Sequence, residues 1–428
     1  MGEERALDFV AIGAGPANLS LAALAKPHQD LDFRVLERHA RVQWHPGLMV
    51  AGAALQVDPI KDLVRLVDPT SPYSFTAFLR DTGRLHRALT AHRSGVSRQE
   101  FAQYYRWAAS QWAEVELDRE VHAVELGDDG DFRVHTRSEA FTARNVVLGV
   151  GRAPNIPEQA RGLLGPRVFH ASEYLRRRDR LPQARVLVVG GGQSAAEVVL
   201  DLLQAQNRPA ALTWATGRSG LLPLDDSPFA NEWYNPSYAQ HFNTLGADQR
   251  QRLLSEQTLS SDGVSTGLLQ QIYVRLYELD YLLDSGNRLR HRVLPGHRLA
   301  ALASDGPALK ARMTNPAAHP DHEPLLTVQV DAVVLATGYT DTVPALLDPL
   351  AGRIALREGR PDVQPDYRLA WDGPPGRGIY VQNAARPTHG VADPNLALNA
   401  WRSATILNSL GGGKRYDLSL PDTTIALH

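Results

Sequence analysis

The sequence predicts an α/β protein in which two Rossmann-like dinucleotide-binding domains are nested and carry a small, mostly helical third domain. Three observations lead there. A strand, glycine turn, helix and second strand occur in that order twice. Two further apolar runs end abruptly in glycine. The chain has 428 residues, 43% hydrophobic and 21% charged, enough apolar material for two or three cores of ordinary size. The balance of 45 Lys+Arg against 47 Asp+Glu leaves a net charge of −2, which argues against a surface built to neutralise nucleic-acid phosphates. With no cysteine, a disulfide framework, a thiolate metal site, a thiol nucleophile and a redox-active dithiol are all excluded. No apolar run approaches the roughly 18 residues of a membrane-spanning helix. Met1 to Asp8 is short, polar and followed at once by a strand. The expectation is a cytoplasmic protein without stable membrane insertion.

The first motif begins with the strand Asp8 to Ile12 and turns through Gly13-Ala14-Gly15-Pro16-Ala17-Asn18. An alanine- and leucine-rich helix follows over Leu19 to Ala25, then a strand from Phe33 to Leu36 that ends at Glu37. Gly13 and Gly15 let the backbone approach a pyrophosphate at the helix N-terminus, with Pro16 opening the helix, and the acid receives the ribose hydroxyls. Asn18 stands where the usual pattern has a third glycine. Glycines also serve ordinary turns, so it is the full context that favours nucleotide binding.

The second motif is the strand Val186 to Val189, the turn Gly190-Gly191-Gly192-Gln193-Ser194, a helix over Ala196 to Leu203 and a strand over Ala211 to Trp214. No acid ends this strand; Arg218 lies just beyond it. A carboxylate there would repel a 2′-phosphate and an arginine can pair with one, which suits NADPH over NADH. The competing reading is a solvated loop charge. The junctions Val146 to Gly151 and Val333 to Tyr339 then look like the crossovers of a two-nucleotide flavoprotein, the chain leaving the first domain near Pro157–His170 and re-entering near Ala336. The expected division is FAD-binding over 1–168 and 341–428, NADPH-binding over 169–227 and 291–340, and substrate-binding over 228–290. Fifteen histidines are scattered without a ligand spacing, so no metal is expected.

Several stretches are more specific: Gln43 to Gly47 (QWHPG), Leu55 to Val64 (LQVDPIKDLV), Asp68 to Phe75 (DPTSPYSF), Gly190 to Glu197 (GGGQSAAE), Ser227 to Pro236 (SPFANEWYNP), Ala336 to Tyr339 (ATGY) and His389 to Ser403 (HGVADPNLALNAWRS). In order and spacing they resemble the N-hydroxylating flavin monooxygenases of siderophore biosynthesis, the lysine and ornithine N-monooxygenases. Glu256 to Val264 (EQTLSSDGV) and Ile272 to Glu278 (IYVRLYE) look like the lysine branch. The resemblance implies FAD held by Gly13, Gly15, Pro16, Asn18, Glu37, Trp44 and His45, with Gln56 at the flavin edge. NADPH falls to Gly190, Gly192, Gln193, Ser194 and Arg218. Lys61 meets the substrate carboxylate and Asn231 sits at the substrate's polar end, although a lysine in a loop and an asparagine in a turn are ordinary surface residues too. Partners are a small-molecule amine and molecular oxygen, and the assembly is a homo-oligomer, a tetramer by likeness to the family.

Two departures fall in the expected pocket. Pro59-Ile60 precede Lys61 where the family has Phe-Leu or Phe-Met, and Ala397 replaces a common serine. The implied chemistry is flavin-borne: NADPH reduces FAD, oxygen adds to the flavin, and the neutral side-chain amine attacks the distal oxygen. No side chain acts as acid or base. A lysine amine with a pKa near 10.4 is only about 0.1% neutral near pH 7.5, so the pocket must disfavour the ammonium. The product is expected to be N6-hydroxylysine. Ornithine, cadaverine or putrescine are the alternative substrates, and a non-catalytic flavin-binding protein the alternative of another class.

Overall fold

The computed structural model describes residues 5–91, 95–283, 289–317, 325–357, 359–411, 413–419 and 423–427. In chain order the strands Phe9–Ile12 (β1), Phe33–Leu36 (β2), Val115–Glu116 (β3) and Asn145–Leu148 (β4) begin a first sheet. The chain then leaves to build a second from Val168–His170 (β5), Arg185–Val189 (β6), Ala211–Ala215 (β7), Arg290–Leu294 (β8) and Ala332–Leu335 (β9). It returns with Gly378–Val381 (β10). The two parallel sheets have the orders β10-β4-β1-β2-β3 and β8-β7-β6-β9-β5.

The central strands are continuous buried runs, FVAI in β1 and AVVL in β9, because parallel strands are covered on both faces. In β6 the alternation is visible: Val186 and Val188 join a core with the helix Gln193–Gln204, while Leu187 and Val189 face the opposite core. That second core is closed by a three-stranded meander, Arg298–Asp305, Ala308–Thr314 and Leu325–Val330. A matching meander, Val121–Leu126, Phe132–Thr136 and Ala140–Ala143, covers the first sheet. On the other face of the first sheet the helix Pro16–Ala25 (α1) packs on Asn399–Ser409, which explains why α1 is buried from Ala17 to Ala25.

The two crossings between units lie side by side. Ala153–Pro154 pairs antiparallel with Tyr339–Thr340, and Arg152 Nε donates to Asp341 Oδ1 at 2.5 Å. One expected boundary moves: Val168 pairs with Val333, so β5 lies wholly in the second sheet and the division falls before Val168 rather than after it. A strand cannot be split between two ladders. Likewise β8 begins at Arg290, one residue ahead of the expected start. The segment 228–290 is mostly helical among the described residues, yet it leans on its neighbours. Ala239 packs with Ala392 and Leu398 of the first unit, while Val264, Ile272 and Leu279 enter the core of the second.

Candidate functional site

The first glycine turn is held open by a backbone crossing. Gly13 has φ +91°, and a Cβ there would lie 2.6 Å from the Gly149 carbonyl oxygen. Only glycine accommodates both demands. Gly15 is the N-cap of α1 and Pro16 its first residue, and no side chain caps this helix. By contrast Ser74 and Ser97 cap the helices Phe75–Asp81 and Arg98–Ala109 through their hydroxyls. The α1 N-terminus therefore retains donors for an anion. Glu37 is fixed beside the turn: Oε2 accepts from the Ala14 N–H at 2.8 Å and Oε1 from the His39 N–H at 3.0 Å. Each oxygen keeps a lone pair for a ribose hydroxyl.

Asn18 departs from the expectation that it contacts the cofactor. It is 0% exposed, and its amide donates to the Ile12 and Gly13 carbonyls at 3.0 and 2.8 Å while accepting from Gln382 Nε2 at 2.7 Å. It braces the turn from behind. Gly149 supplies the room, since a Cβ there would strike the Asn18 amide. The brace continues inward: Arg402, also 0% exposed, donates to Gln382 Oε1, to Asn383 Oδ1, to Asn399 Oδ1 and to Asp393. Asp393 in turn accepts from the Ala385 N–H at 2.8 Å. This network joins the His389 to Ser403 motif to the first turn, and nothing in the local sequence announced it.

The stretch after β2 forms a wall. Trp44 meets Tyr105 edge-on at 5.2 Å. His45 has a left-handed backbone at φ +45° and is solvent-exposed. Desolvation by neighbouring protein and the Arg98 guanidinium lower its imidazole pKa below the ordinary histidine value, which favours the neutral form near pH 7. Gln56 is exposed and Lys61 half-buried. Asp58 shapes the approach to Lys61, its Oδ1 accepting from the Ile60 N–H at 2.9 Å and its carbonyl from the Lys61 N–H at 2.9 Å. Pro59-Ile60 thus form the middle of a tight turn, for which proline is suited. Asp62 anchors the other side: its buried carboxylate accepts from the Val64, Arg65 and Phe75 N–H groups. The Lys61 ammonium has no hydrogen-bond or ion-pair partner among the described residues. Burial lowers its pKa, with Asp58 opposing.

At the second turn Gly190 has φ +146°, and a Cβ would collide with the Ala336 carbonyl. Gly192 caps the helix Gln193–Gln204 without a side-chain bond. Ser194 is half-buried in its first turn. Gln193 is occupied elsewhere, donating to Glu197 Oε1 and accepting from the Ser265 N–H, both at 3.0 Å. Its side chain ties elements together, with one N–H and one carbonyl lone pair already held by protein. Arg218 lies over the turn, donating to the Gly191 carbonyl at 3.2 Å and the Asp262 carbonyl at 2.7 Å through one nitrogen. Its other N–H groups remain for a phosphate. Arg298, unremarked in the sequence, packs against Gly217 beside it. Asn231 is exposed and donates to Asp226 and Ser227 carbonyls at 2.8 and 3.2 Å, the turn role open to it from the outset; its carbonyl points to no described donor. A cavity of about 480 Å³ lies off the ends of β4 and β10, lined by Arg152, Arg250, Tyr339, Gln382 and Arg386 among others; Gln382 links it to the brace behind the first turn, and none of the site residues expected from the sequence borders it.

Comparison with known proteins decides the lineage. The pattern of the family "L-lysine 6-monooxygenase/L-ornithine 5-monooxygenase" matches residues 5–341. The L-lysine N6-monooxygenase of Escherichia coli is 36% identical over 425 residues, 99% of this chain and 98% of that one. The chain belongs to this family.

Two solved structures agree in fold. A cadaverine monooxygenase of the desferrioxamine pathway from Erwinia amylovora, bound to FAD, superposes with a TM-score of 0.90 at 28% identity, over 99% of this chain and 98% of that one. The ornithine hydroxylase of Pseudomonas aeruginosa gives 0.85 at 31%, over 95% and 99%. Family membership makes the chain a flavin-dependent monooxygenase. The residues present fit dinucleotides: both turns have a glycine whose Cβ would collide with a carbonyl, and both lead into a helix without a side-chain cap.

Proposed function

We propose that this enzyme, with FAD and NADPH, hydroxylates the side-chain amine of L-lysine, giving N6-hydroxylysine for a siderophore or a related N–O or N–N metabolite. Lys61 carries the reading. It is a half-buried cation beside a cleft wall with no bonded partner among the described residues, and a substrate carboxylate would complete it. A diamine would leave that cation uncompensated. FAD, when bound, supplies the oxygen-activating chemistry. The chain binds, orients and excludes water: Gly13, Gly15, Pro16 and Glu37 form the seat for FAD, with Trp44, His45 and Gln56 on its reacting side. Gly190, Gly192, Ser194, Arg218 and Arg298 hold NADPH. A neutral His45 adds no second positive charge to the cleft, where the attacking amine must itself be unprotonated. Asn231 offers its free amide oxygen to the substrate's polar end.

The test is NADPH oxidation and hydroxylamine formation across lysine, ornithine, cadaverine and putrescine. With the carboxylate fixed at Lys61, chain length decides reach; a misplacement of about 1 Å can cost on the order of 10²-fold, which disfavours ornithine. Lys61→Ala should raise the KM for lysine about 10- to 100-fold and leave that for cadaverine within about 3-fold, by loss of one charge-assisted contact. A wild-type preference for a diamine, unchanged in Lys61→Ala, would reject lysine as the substrate. Assembly as a homo-oligomer accords with Tyr273, Tyr277 and Tyr281, which stand 74%, 53% and 70% exposed at successive helical turns. Light scattering of the purified protein tests it. Among the described residues no helix is long and apolar enough to cross a membrane, and we place the enzyme in the cytoplasm.

A further inference from the structure

The two nucleotide units are not joined by the crossings alone. Part of the 46–53 stretch of the first unit is sunk into the second: Leu48, Val50 and Ala53 belong to the core that contains Val198 and Trp214. Gly47 passes so close to the Ser172 carbonyl that any Cβ would overlap it. At the edge of this apolar plug, Arg98 forms a close ion pair with Glu197. Arg98 opens the helix Arg98–Ala109 of the first unit, while Glu197 lies on the helix that leaves the second glycine turn. Their side chains are 15% and 5% exposed.

Both ends of the pair are wired onward. The Arg98 N–H donates to the Ala53 carbonyl at 2.9 Å, tying the cation to the plug. Glu197 Oε1 accepts from Gln193 Nε2 at 3.0 Å, and Gln193 Oε1 accepts from the Ser265 N–H at 3.0 Å. One chain of contacts therefore runs from the flavin unit through the second glycine turn to the helical segment. A buried ion pair adds little net stability over an apolar pair of the same volume, since desolvation offsets the attraction. The plug already supplies apolar adhesion. What the pair adds is direction, because the charge-assisted hydrogen bond from one terminal nitrogen of Arg98 to Glu197 Oε2 weakens steeply away from linear geometry.

We infer that Arg98 and Glu197 are positioning residues that set the angle of the NADPH unit against the FAD unit, and so the rate at which NADPH reduces the flavin. The inference rests on the FAD and NADPH assignment but not on the identity of the amine. Flavin reduction is measured without amine, so a failure here is separable from a failure of the lysine reading.

The absence of cysteine makes the test clean. Ser110→Cys and Gln206→Cys, on exposed positions of the two units, take a pair of spin labels for a distance distribution across the joint in FAD-loaded protein. Stopped-flow gives the flavin reduction rate, and titration gives the NADP⁺ affinity. Glu197→Gln and the double variant Arg98→Met/Glu197→Met should each broaden the distance distribution. They should slow reduction about 10- to 100-fold, in line with small misplacements of reacting atoms, while the Kd for NADP⁺ moves less than about 3-fold. Arg98→Lys, which keeps the charge but not the reach of the guanidinium nitrogen, should fall between these and wild type. Should a single variant fail to fold, the double variant, with no unpaired charge, decides. A double variant with wild-type distances and a wild-type reduction rate overturns the inference. So does a loss confined to NADP⁺ affinity, which would mark the pair as support for the binding turn alone.

Discussion

The two glycine turns share strand, turn and helix, yet they are braced in opposite ways. The first is held from inside its own unit. Asn18, Gln382, Arg402 and Asp393 form a sealed polar network behind it, and Glu37 clamps Ala14 from the front. The second is held from outside, by Arg98 of the flavin unit through Glu197 and Gln193, and by the helical segment through Ser265 and Asp262. A seat fixed within one rigid unit suits a resident cofactor. A seat whose supports lie in three parts of the molecule suits a cosubstrate whose binding must be coupled to the rest. The same local motif thus serves two purposes according to what stands behind it.

Breaking the inner brace should have the largest effect. Arg402→Met removes a fully buried cation and strands Asp393, which should cost about 3–5 kcal/mol by the rule for a broken buried pair. Thermal unfolding of the FAD-loaded protein should shift down by several degrees, and flavin should be lost before the second unit unfolds. An unchanged melting curve would show that the network is not a support. Gly13→Val tests the same seat from the front. The side chain would meet the Gly149 carbonyl and demand a left-handed backbone, so purified protein should carry little flavin by absorbance, with NADP⁺ binding retained.

At the outer-braced turn the expected effects are smaller. Arg218→Ala should weaken NADPH about 10- to 100-fold by loss of charge-assisted contacts while leaving NADH nearly unchanged. Arg298→Ala should do the same more weakly, because this arginine is exposed. Equal losses for both nucleotides would move the 2′-phosphate elsewhere. The smallest effect is a pH dependence at Lys61. Its pKa is lowered by burial, so its charge is lost earlier than that of an ordinary lysine as pH rises. The ratio of KM for lysine to KM for cadaverine should climb at alkaline pH, since both substrates share the side-chain amine and only one needs the cation. In Lys61→Met the ratio should be flat.

Both turns, their strands and helices, Glu37 and the helical character of residues 228–290 were legible in the sequence. Such features are local: a buried parallel strand is a short apolar run, and a tight nucleotide turn needs glycine wherever it occurs. The family motifs added Lys61 and the expectation of two cofactors. Asn18 and Gln193 show the limit. Each sits inside a binding motif, and each is engaged by protein, Asn18 by a partner 364 residues away and Gln193 in part by Ser265, 72 residues on. Sequence assigned them by position, whereas their chemistry was decided by what folded against them. The Arg98–Glu197 pair, the fit of Gly47 on Ser172, the addition of Arg298 and the unpaired state of Lys61 belong to the same class. Long-range polar partners leave no periodicity in the chain, and a hydrogen bond has no meaning until both ends are placed. Backbone geometry was therefore written locally in this protein. The commitment or freedom of each polar side chain was settled only by tertiary packing, because burial makes an unpaired group costly and so forces a partner upon it.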